Sequence, residues 1–291
     1  MTEKPAFPPN LALIVSIIAV STASILIRMS NASPIAIAAY RLTFSTFILL
    51  PFFIHSGGLN RFLNASFKDK VTLAGVGVAL AFHFASWITS LEYTTVASSV
   101  IFVHVDPIFV AVVSHFLLGD RVDRGTLLGM FIAFIGAAII AWGDAGLGEA
   151  TLYGDLLALV GGIMLGIYIL AGRKLRKELD LVSYVTPVYA FSAVVLVLMG
   201  IVTGSVMGPY QTSEYILFLV IAIVPMIFGH TVYNWALRYI SAPVVSVSLL
   251  GEPVGATILA AVFLGENPSM YTLVGGFITL IGIYQCLRSS E

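Results

Sequence analysis

Apolar residues occur in long runs along the chain, and charged residues, glycines and prolines separate one run from the next. The runs are close to the roughly 20 residues that an α-helix needs to cross the hydrocarbon core of a bilayer. Helices are favoured there because they satisfy their backbone hydrogen bonds internally, where no water is available. The pattern predicts ten membrane helices, at residues 11–29, 35–54, 71–91, 94–116, 125–142, 153–172, 182–203, 215–237, 243–264 and 271–287.

Composition agrees with lipid as the main solvent. Hydrophobic residues make up 59% of the 291 positions and charged residues 10%, with a mean hydropathy of +1.01. Soluble domains carry about a quarter of their residues as charges, and this much apolar surface would not fit inside one core. The sequence therefore predicts an all-α integral membrane protein with little chain left for a separate soluble domain.

The same counts argue against several classes of function. A net charge of −1 provides no basic surface for nucleic acid. The single cysteine, Cys286, excludes an intrachain disulfide, and the His, Asp and Glu residues have no convincing metal-ligand spacing. The sequence contains no P-loop, so ATP is not expected to supply energy. We therefore predict that the protein is not an enzyme and has no catalytic residues, no metal and no cofactor.

The basic residues indicate how the helices are oriented. With the N-terminus in the cytoplasm, twelve of the 14 lysines and arginines fall on the cytoplasmic side, and the outer loops carry only acids as charged residues. The other two, Arg28 and Arg41, lie within predicted helices. Because cytoplasmic loops of membrane proteins are enriched in Lys and Arg, both termini are predicted to be cytoplasmic.

An internal repeat relates the two halves of the chain. A shift of 146 residues without a gap gives 12 identities over the 46 positions from 91 to 136. The identical pairs that apolar composition does not explain are Tyr93 with Tyr239, Pro107 with Pro253, Gly119 with Gly265, Gly129 with Gly275 and Gly136 with Gly282. Two further pairs match an acid with an acid, Asp106 with Glu252 and Asp120 with Glu266. The repeat predicts two five-helix domains, at residues 1–145 and 146–291.

Because five is an odd number, the second domain must cross the membrane in the opposite sense to the first. Inverted repeats of this kind are typical of secondary transporters, whose two similar halves exchange conformations and so open a central site to each side in turn. The alternative is a duplication kept for the stability of the bundle, which has no need of inverted halves. The repeat therefore favours transport.

Short motifs occur in both halves at this spacing. The second half contains Gly251-Glu252-Pro253, then Leu264-Gly265-Glu266, then Gly275, Gly276 and Gly282, and the first half contains Asp106-Pro107, Leu118-Gly119-Asp120, Gly129 and Gly136. Over nearly its whole length the chain resembles the EamA-type, ten-helix branch of the drug/metabolite transporter superfamily, and most of all its bacterial aromatic amino-acid exporters. The resemblance implies a transporter of the bacterial inner membrane that exports amino acids through a cavity between its third, fourth, eighth and ninth helices.

Polar residues follow one face of each of those four predicted helices, since they recur in steps of three and four. The predicted cavity residues are His83, Trp87 and Ser90 of the third helix, Ser98 and Phe102 of the fourth, His230, Tyr233 and Asn234 of the eighth, and Ser248 of the ninth. Such rings, hydroxyls and amides suit a solute of amino-acid size. The alternative is that they form hydrogen bonds between helices. His104 and His115 fall off the polar face and are predicted to be packing residues.

Three charged residues lie deep inside predicted helices. Asp106 and Glu252 are expected near the middle of the membrane, where an ionised acid costs about 3 kcal/mol. Arg41 is the one cation deep enough to pair with them. There are two functional hypotheses: Arg41 binds a substrate carboxylate, or one of the acids carries a coupling proton. The simpler alternative, which we favour, is an ion pair or support for a helix break.

Prolines interrupt three of the predicted helices. Proline removes a backbone donor and clashes with the preceding turn, so kinks or hinges are expected at these positions. The predicted hinge residues are Pro107, Pro225 and Pro253.

The leading functional hypothesis is a secondary transporter that exports aromatic and other neutral amino acids by alternating access. Its partners would be a small-molecule substrate and the lipid bilayer, and no oligomer is required. An alternative is a multidrug or organic-cation exporter that uses Asp106 or Glu252 as its cation site. A channel, or an intramembrane enzyme built on His83 and Ser86, is a further alternative from another class.

Overall fold

Helices form all the regular structure in the part of the chain that the computed structural model describes, which is residues 5–104, 106–119, 123–144, 149–205, 207–265 and 269–289. The helices are α1 (Pro9–Ser21), α2 (Ala23–Arg28), α3 (Pro34–His55), α4 (Gly58–Asn64), α5 (Phe67–Ser90), α6 (Val96–Val103), α7 (Asp106–Leu118), α8 (Arg124–Asp144), α9 (Glu149–Leu175), α10 (Leu181–Thr203), α11 (Thr212–Ile221), α12 (Val232–Ala236), α13 (Ala242–Leu249), α14 (Gly251–Phe263) and α15 (Met270–Ser289). A π-helix, Ala222–Thr231, joins α11 to α12.

Seven helical stretches within these ranges are long and apolar enough to cross a membrane. They are Pro9–Arg28, Pro34–His55, Phe67–Ser90, Thr151–Leu175, Leu181–Thr203, Thr212–Ala236 and Ala242–Phe263, and shorter apolar helices cover Phe109–Leu118, Arg124–Gly136 and Leu273–Cys286. The all-helical prediction is confirmed. The repeat acids Asp120 and Glu266 and the predicted domain boundary after residue 145 lie outside the described residues.

The first predicted helix is divided at Thr22 into α1 and α2, and two further predicted helices are interrupted in the middle. The prediction of one continuous helix over 94–116 is wrong, because α6 ends at Val103 and α7 starts at Asp106. The prediction over 243–264 is wrong in the same way, because α13 ends at Leu249 and α14 starts at Gly251. In each case an acid-proline pair lies in the first turn of the second helix, where proline has no backbone donor to lose and the acid favours the positive end of the helix dipole. The interruptions occupy equivalent places in the repeat.

The helices that end the two repeats, α8 and α15, cross in close contact. A Cβ atom added to Gly136 would lie 2.5 Å from the carbonyl oxygen of Gly275, and one added to Gly282 would lie 2.6 Å from that of Gly129. The repeat equates Gly129 with Gly275 and Gly136 with Gly282, so the two contacts exchange with each other, as a two-fold relation requires. Small residues at such crossings let membrane helices approach closely. The repeat glycines therefore form one close contact between the halves.

The start of α10 offers a prediction about stability. Asp180 Oδ1 accepts a hydrogen bond of 3.0 Å from the Ser183 amide, and Oδ2 lies 2.8 Å from Arg61 Nη2. Burial opposes ionisation, but the Ser183 hydrogen bonds and the Arg61 charge outweigh it, so the pKa of Asp180 is below its ordinary value. Asp180→Ala is expected to lower the unfolding free energy by about 1 kcal/mol through loss of this helix cap.

Because the pKa is lowered in the folded state, this contribution is present above the unfolded carboxyl value of about 4 and is lost as the pH falls through the folded value. Asp180→Asn keeps a capping oxygen but not the charge, so at neutral pH it is expected to lose only the part of the contribution that depends on ionisation, and less than Asp180→Ala loses, since the half-exposed Arg61 pair contributes little. Thermal unfolding of the purified variants measures both. An equal loss in the two variants would show that the ion pair, not the cap, stabilises this end of α10.

Candidate functional site

A small enclosed cavity lies where the helical interruptions and the π-helix meet α1, α3 and α5. Its wall is formed by Val20, Ala23, Arg41, His83, Trp87, Val103, His104, Leu165, His230, Tyr233, Leu249 and Glu252. It leaves about 10 Å³ for the centre of a water molecule, enough for roughly one water. The structure is therefore closed around this point, and a larger solute requires the walls to move apart.

Arg41, on α3, is the cation of the cavity wall. Its side chain is fully buried, and none of its three guanidinium nitrogens has a hydrogen-bond partner among the described residues. The guanidinium carbon lies 4.2 Å from the centre of the Phe84 ring and 6.0 Å from that of Trp87. Contacts with ring faces compensate only part of the cost of burying a charge. Arg41 is thus a strong donor group with no acceptor, facing the cavity.

Neither buried acid pairs directly with Arg41 within the described residues, so of the two simpler alternatives favoured from sequence, an ion pair or support for a helix break, the ion pair is not observed. The salt bridges within the described ranges are Arg61 with Asp180 and His104 with Glu252. Asp106 instead accepts a short hydrogen bond from Ser246 Oγ of α13 and does not line the cavity. Glu252 does line it, from the first turn of α14. The wall therefore carries a cation and an acid that do not neutralise each other by contact.

Aromatic and imidazole rings form the rest of the polar wall. His83 stacks on Trp87 with 5.9 Å between ring centres and lies 6.0 Å from His230. The Tyr233 hydroxyl is 2.5 Å from His230 Nδ1. His83 Nδ1 donates to the Gly161 carbonyl over 2.9 Å, which leaves Nε2 as an acceptor. These four side chains, all predicted from sequence as cavity residues, come from α5 and from the segment that starts in the π-helix.

The other residues predicted to line the cavity do not do so in this structure. They are Ser90, Ser98, Phe102, Asn234 and Ser248. Ser90 contacts Trp87 O and Ser99 Oγ, and Ser248 donates to Val244 O. Asn234 donates to Tyr168 OH and to His230 O. A hydroxyl in a helix readily bonds the carbonyl one turn back. Polar residues on a helix face therefore do not all point into a site. For Ser90 and Asn234, bonding between helices is the role that the geometry favours.

His104 is the residue that sequence reasoning missed. It falls off the polar face of a continuous fourth helix, but α6 ends one residue earlier and the His104 backbone leaves helical geometry, with φ −102° and ψ 34°. The ring consequently reaches the cavity, with Nε2 3.4 Å from Glu252 Oε2. A histidine two residues before an acid-proline pair was the available signal.

The predicted hinge prolines lie at interruptions of the helical pattern. Pro107 is the second residue of α7, Pro253 is the third residue of α14, and Pro225 lies in the π-helix. π-Helical segments are often found at functional sites. The candidate cavity is thus bordered by three irregular points of the backbone, where small changes of dihedral angle would move its walls.

The pattern of residues matches a known family in both halves of the chain. The profile of the EamA-like transporter family matches residues 8–142 and again residues 152–287. The chain belongs to this family, within the drug/metabolite transporter superfamily, and it is a multi-pass membrane transporter. Members of such a family are generally not enzymes, and no catalytic activity is indicated.

Individual relatives agree with this assignment. The chain is 27% identical over 281 residues, 94% of each protein, to an uncharacterized transporter of Archaeoglobus fulgidus. It is 23% identical to the uncharacterized transporter YyaM of Bacillus subtilis, over 86% of this chain and 83% of the relative. A crystal structure with 16% identity shares the fold, with a TM-score of 0.79 over 97% of this chain and 98% of that one. The names of these relatives state no substrate.

Proposed function

We propose that this protein exports neutral amino acids, including aromatic ones, by alternating access through the cavity around Arg41. The observation that carries the proposal is the fully buried Arg41 guanidinium, whose three nitrogens have no hydrogen-bond partner in the described structure. A carboxylate is the ligand that a planar guanidinium binds best, through two parallel hydrogen bonds. Binding one there would remove much of the cost of the buried charge.

The other groups of the wall suit the rest of an amino acid. The Glu252 carboxyl lines the same cavity and would accept an ammonium group. His83, Trp87 and Tyr233 offer ring surfaces for an apolar or aromatic side chain. A neutral zwitterion would therefore meet a cation, an acid and an apolar ring surface, one for each of its parts.

An organic-cation exporter is less well supported. A solute with a positive charge and no carboxylate would approach the buried Arg41 charge without an anion to offset it. Asp106, one of the two acids proposed as its site, lies outside the cavity wall. The closeness of Arg41 and Glu252 within one wall favours a solute that carries both charges.

The proposed topology has ten membrane crossings and both termini in the cytoplasm of a cell whose inner membrane holds the protein. The seven long apolar stretches would make seven crossings. Three more would be made by α6 together with α7, by α8 and by α15. The basic residues between alternate helices support this orientation. Cytoplasmic loops would then contain Arg61 and Arg176, and α2 and α11 would meet at the outer face.

Counterflow in liposomes tests the proposed function. Purified protein is reconstituted with unlabelled phenylalanine inside, and labelled phenylalanine is supplied outside. Transient accumulation of label, competed by other neutral amino acids but not by phenylethylamine, is expected. Failure of any neutral amino acid to exchange, while protein of the same preparation is folded and monodisperse, would refute amino-acid transport.

The proposed outer face supplies a prediction about gating. Glu214, at the start of α11, accepts hydrogen bonds from Ser30 Oγ over 2.6 Å and from the Asn31 amide over 3.0 Å. These bonds tie the second half to the loop between α2 and α3. Since each bond to a charged group contributes roughly 1.5–3 kcal/mol, Glu214→Ala is expected to raise outward opening by about tenfold.

Labelling of a cysteine in the cavity wall measures this opening. Val20→Cys in a Cys286→Ser background carries a single thiol, which an impermeant maleimide reaches from outside only when the outer face opens. Glu214→Ala is expected to label about tenfold faster. The control is Glu92→Ala, which removes an exposed acid and should leave the rate unchanged. An unchanged rate in Glu214→Ala would show that this contact does not hold the outer face closed.

A further inference from the structure

The contact between His104 and Glu252 links the two interrupted helices at the cavity. His104 follows the last residue of α6, and Glu252 is the second residue of α14. Their side chains are buried, with exposed fractions of 3% and 7%, and Nε2 lies 3.4 Å from Oε2. The two residues therefore connect the first half of the protein to the second across the wall of the cavity.

The hydrogen bonding of His104 determines what this contact must contain. His104 Nδ1 lies 2.8 Å from the carbonyl oxygen of Val100. A carbonyl only accepts, so Nδ1 carries a hydrogen, and a neutral His104 has a lone pair on Nε2. An ionised Glu252 offers only lone pairs as well. Two acceptors facing each other in a buried site repel, so this arrangement requires one proton between Nε2 and Oε2, on either residue.

We propose that His104 and Glu252 form a binding site for one proton, and that this proton and the ammonium group of an exported amino acid occupy Glu252 alternately. The inference rests on the proposed function for its substrate. It adds the energy source, because each amino acid that leaves the cell would be exchanged for about one proton that enters.

The surroundings of the pair determine its response to protons. The charged or titratable side chains of the cavity wall that face it are Arg41 of α3, His83 of α5, His230 of the π-helix and Tyr233 of α12. Three further helices pack against α14. α1 carries no titratable side chain, and α2 carries Arg28, which donates to the Thr94 carbonyl. The titratable side chains of α15 are Tyr271, Tyr284, Cys286 and Arg288. Arg41 is the permanent charge of the cavity wall, and it favours ionised Glu252 whenever the proton leaves.

The proposed cycle moves one proton and one zwitterion in opposite directions. With the cavity open to the cytoplasm, the amino acid carboxylate binds Arg41 and its ammonium group binds Glu252, whose proton leaves to the cytoplasm. With the cavity open to the outside, a proton enters from that side, binds the His104–Glu252 pair and displaces the ammonium group. No covalent bond other than those to the proton is made or broken, and each cycle carries one positive charge inward, because one proton enters for each neutral solute that leaves.

Infrared spectroscopy tests the proton site without any substrate. In a pH titration of the purified protein in nanodiscs, a titrating band is expected, either the carbonyl band of a protonated Glu252 or the ring band of a protonated His104, and Glu252→Gln should remove it. Asp106→Asn is the matched control, because Asp106 occupies the equivalent place in the first repeat and bonds Ser246 away from the cavity. The component that Glu252→Gln removes must persist in Asp106→Asn, which separates it from any band of Asp106 itself. His104→Gln should shift the pH dependence of that component by about one unit, a tenfold change in proton affinity.

Proton release on substrate binding tests the exchange. Phenylalanine is added to the protein in weakly buffered solution with a pH indicator, and about one proton per bound phenylalanine is expected from the parent protein and from Asp106→Asn. Binding without release of protons would overturn the exchange while leaving amino-acid export in place. Absence of binding by phenylalanine and other neutral amino acids would refute the proposed function and with it the exchange. A spectrum unchanged in Glu252→Gln would overturn the proton site in either case.

Discussion

Replacing Arg41 by alanine is expected to weaken the binding of neutral amino acids by about 100-fold and to abolish counterflow. Removing one partner of a buried, hydrogen-bonded charge pair typically costs roughly 2–5 kcal/mol, and about 2.8 kcal/mol corresponds to 100-fold. The loss should be large because no other cation lines the cavity in the described structure. Binding isotherms of labelled phenylalanine to purified protein, followed by counterflow, measure both effects.

Arg28→Ala is the matched control, since it removes the other arginine predicted to lie within a helix. Arg28 Nη2 donates to the Thr94 carbonyl over 2.8 Å, away from the cavity wall, so this variant should bind phenylalanine like the parent. Arg41→Lys keeps the charge but not the planar fork, and an intermediate affinity is expected. Unchanged binding in Arg41→Ala would place the carboxylate site elsewhere.

Phenylethylamine, which lacks the carboxylate, separates the two kinds of substrate. The parent protein is expected to bind it weakly, because Arg41 repels its charge. Arg41→Ala should bind it more tightly than the parent does, because Glu252 would remain as a buried acid without a nearby cation. The reverse order, with tight binding by the parent, would favour an organic-cation exporter.

Replacing Gly282 by alanine is expected to destabilise the fold by about 3 kcal/mol. The added Cβ would lie 2.4 Å from the backbone nitrogen of Ala133 and 2.6 Å from the carbonyl oxygen of Gly129. Both neighbours are backbone atoms of α8, so α15 and α8 would have to separate along the contact that joins the repeats. Heating the detergent-purified variant and measuring the remaining monodisperse fraction should show an earlier loss than in the parent protein.

Gly276→Ala is the control for helix composition. It makes the same change in the same helix, but its Cβ would lie 3.7 Å from side-chain atoms of Val254, an ordinary contact. This variant should be as stable as the parent or slightly more stable, because alanine favours helix. If the two alanine variants lost the same stability, close packing at Gly282 would not be the reason for its presence in the repeat motif.

The helical stretches were predictable because the lipid environment leaves the backbone few alternatives. The prediction over 35–54 and the observed α3 (Pro34–His55) differ by one residue at each end, since Ser33 caps the helix and Pro34 begins it. The fourth and ninth helices were predicted to run on through kinks or hinges at Pro107 and Pro253, whereas the structure ends one helix and starts another close to each proline. Hydrophobic periodicity assumes a continuous helix, and it does not register the point where proline and an acid begin a new one.

The candidate site was predictable only in part for the same reason. His83, Trp87, His230 and Tyr233 line the cavity because they lie on regular segments where spacing gives direction. His104 was taken for a packing residue because its direction depends on the end of α6, while Ser248 was taken for a cavity residue although it bonds its own helix backbone. The periodicity of a sequence gives the face of a helix, but it does not give the partner that each polar atom finds.

The sequence by itself determined a helical membrane protein of two related halves, because apolar runs in lipid must form helices and because the repeat motifs can be aligned directly. Only the tertiary structure decided which polar groups meet. Arg41, His104 and Glu252 are far apart in sequence, and the meeting of His104 with Glu252 depends on the two helix interruptions at which they lie. Burial then gives these few groups their importance, because a charge removed from water must find its partner inside the protein or in a ligand.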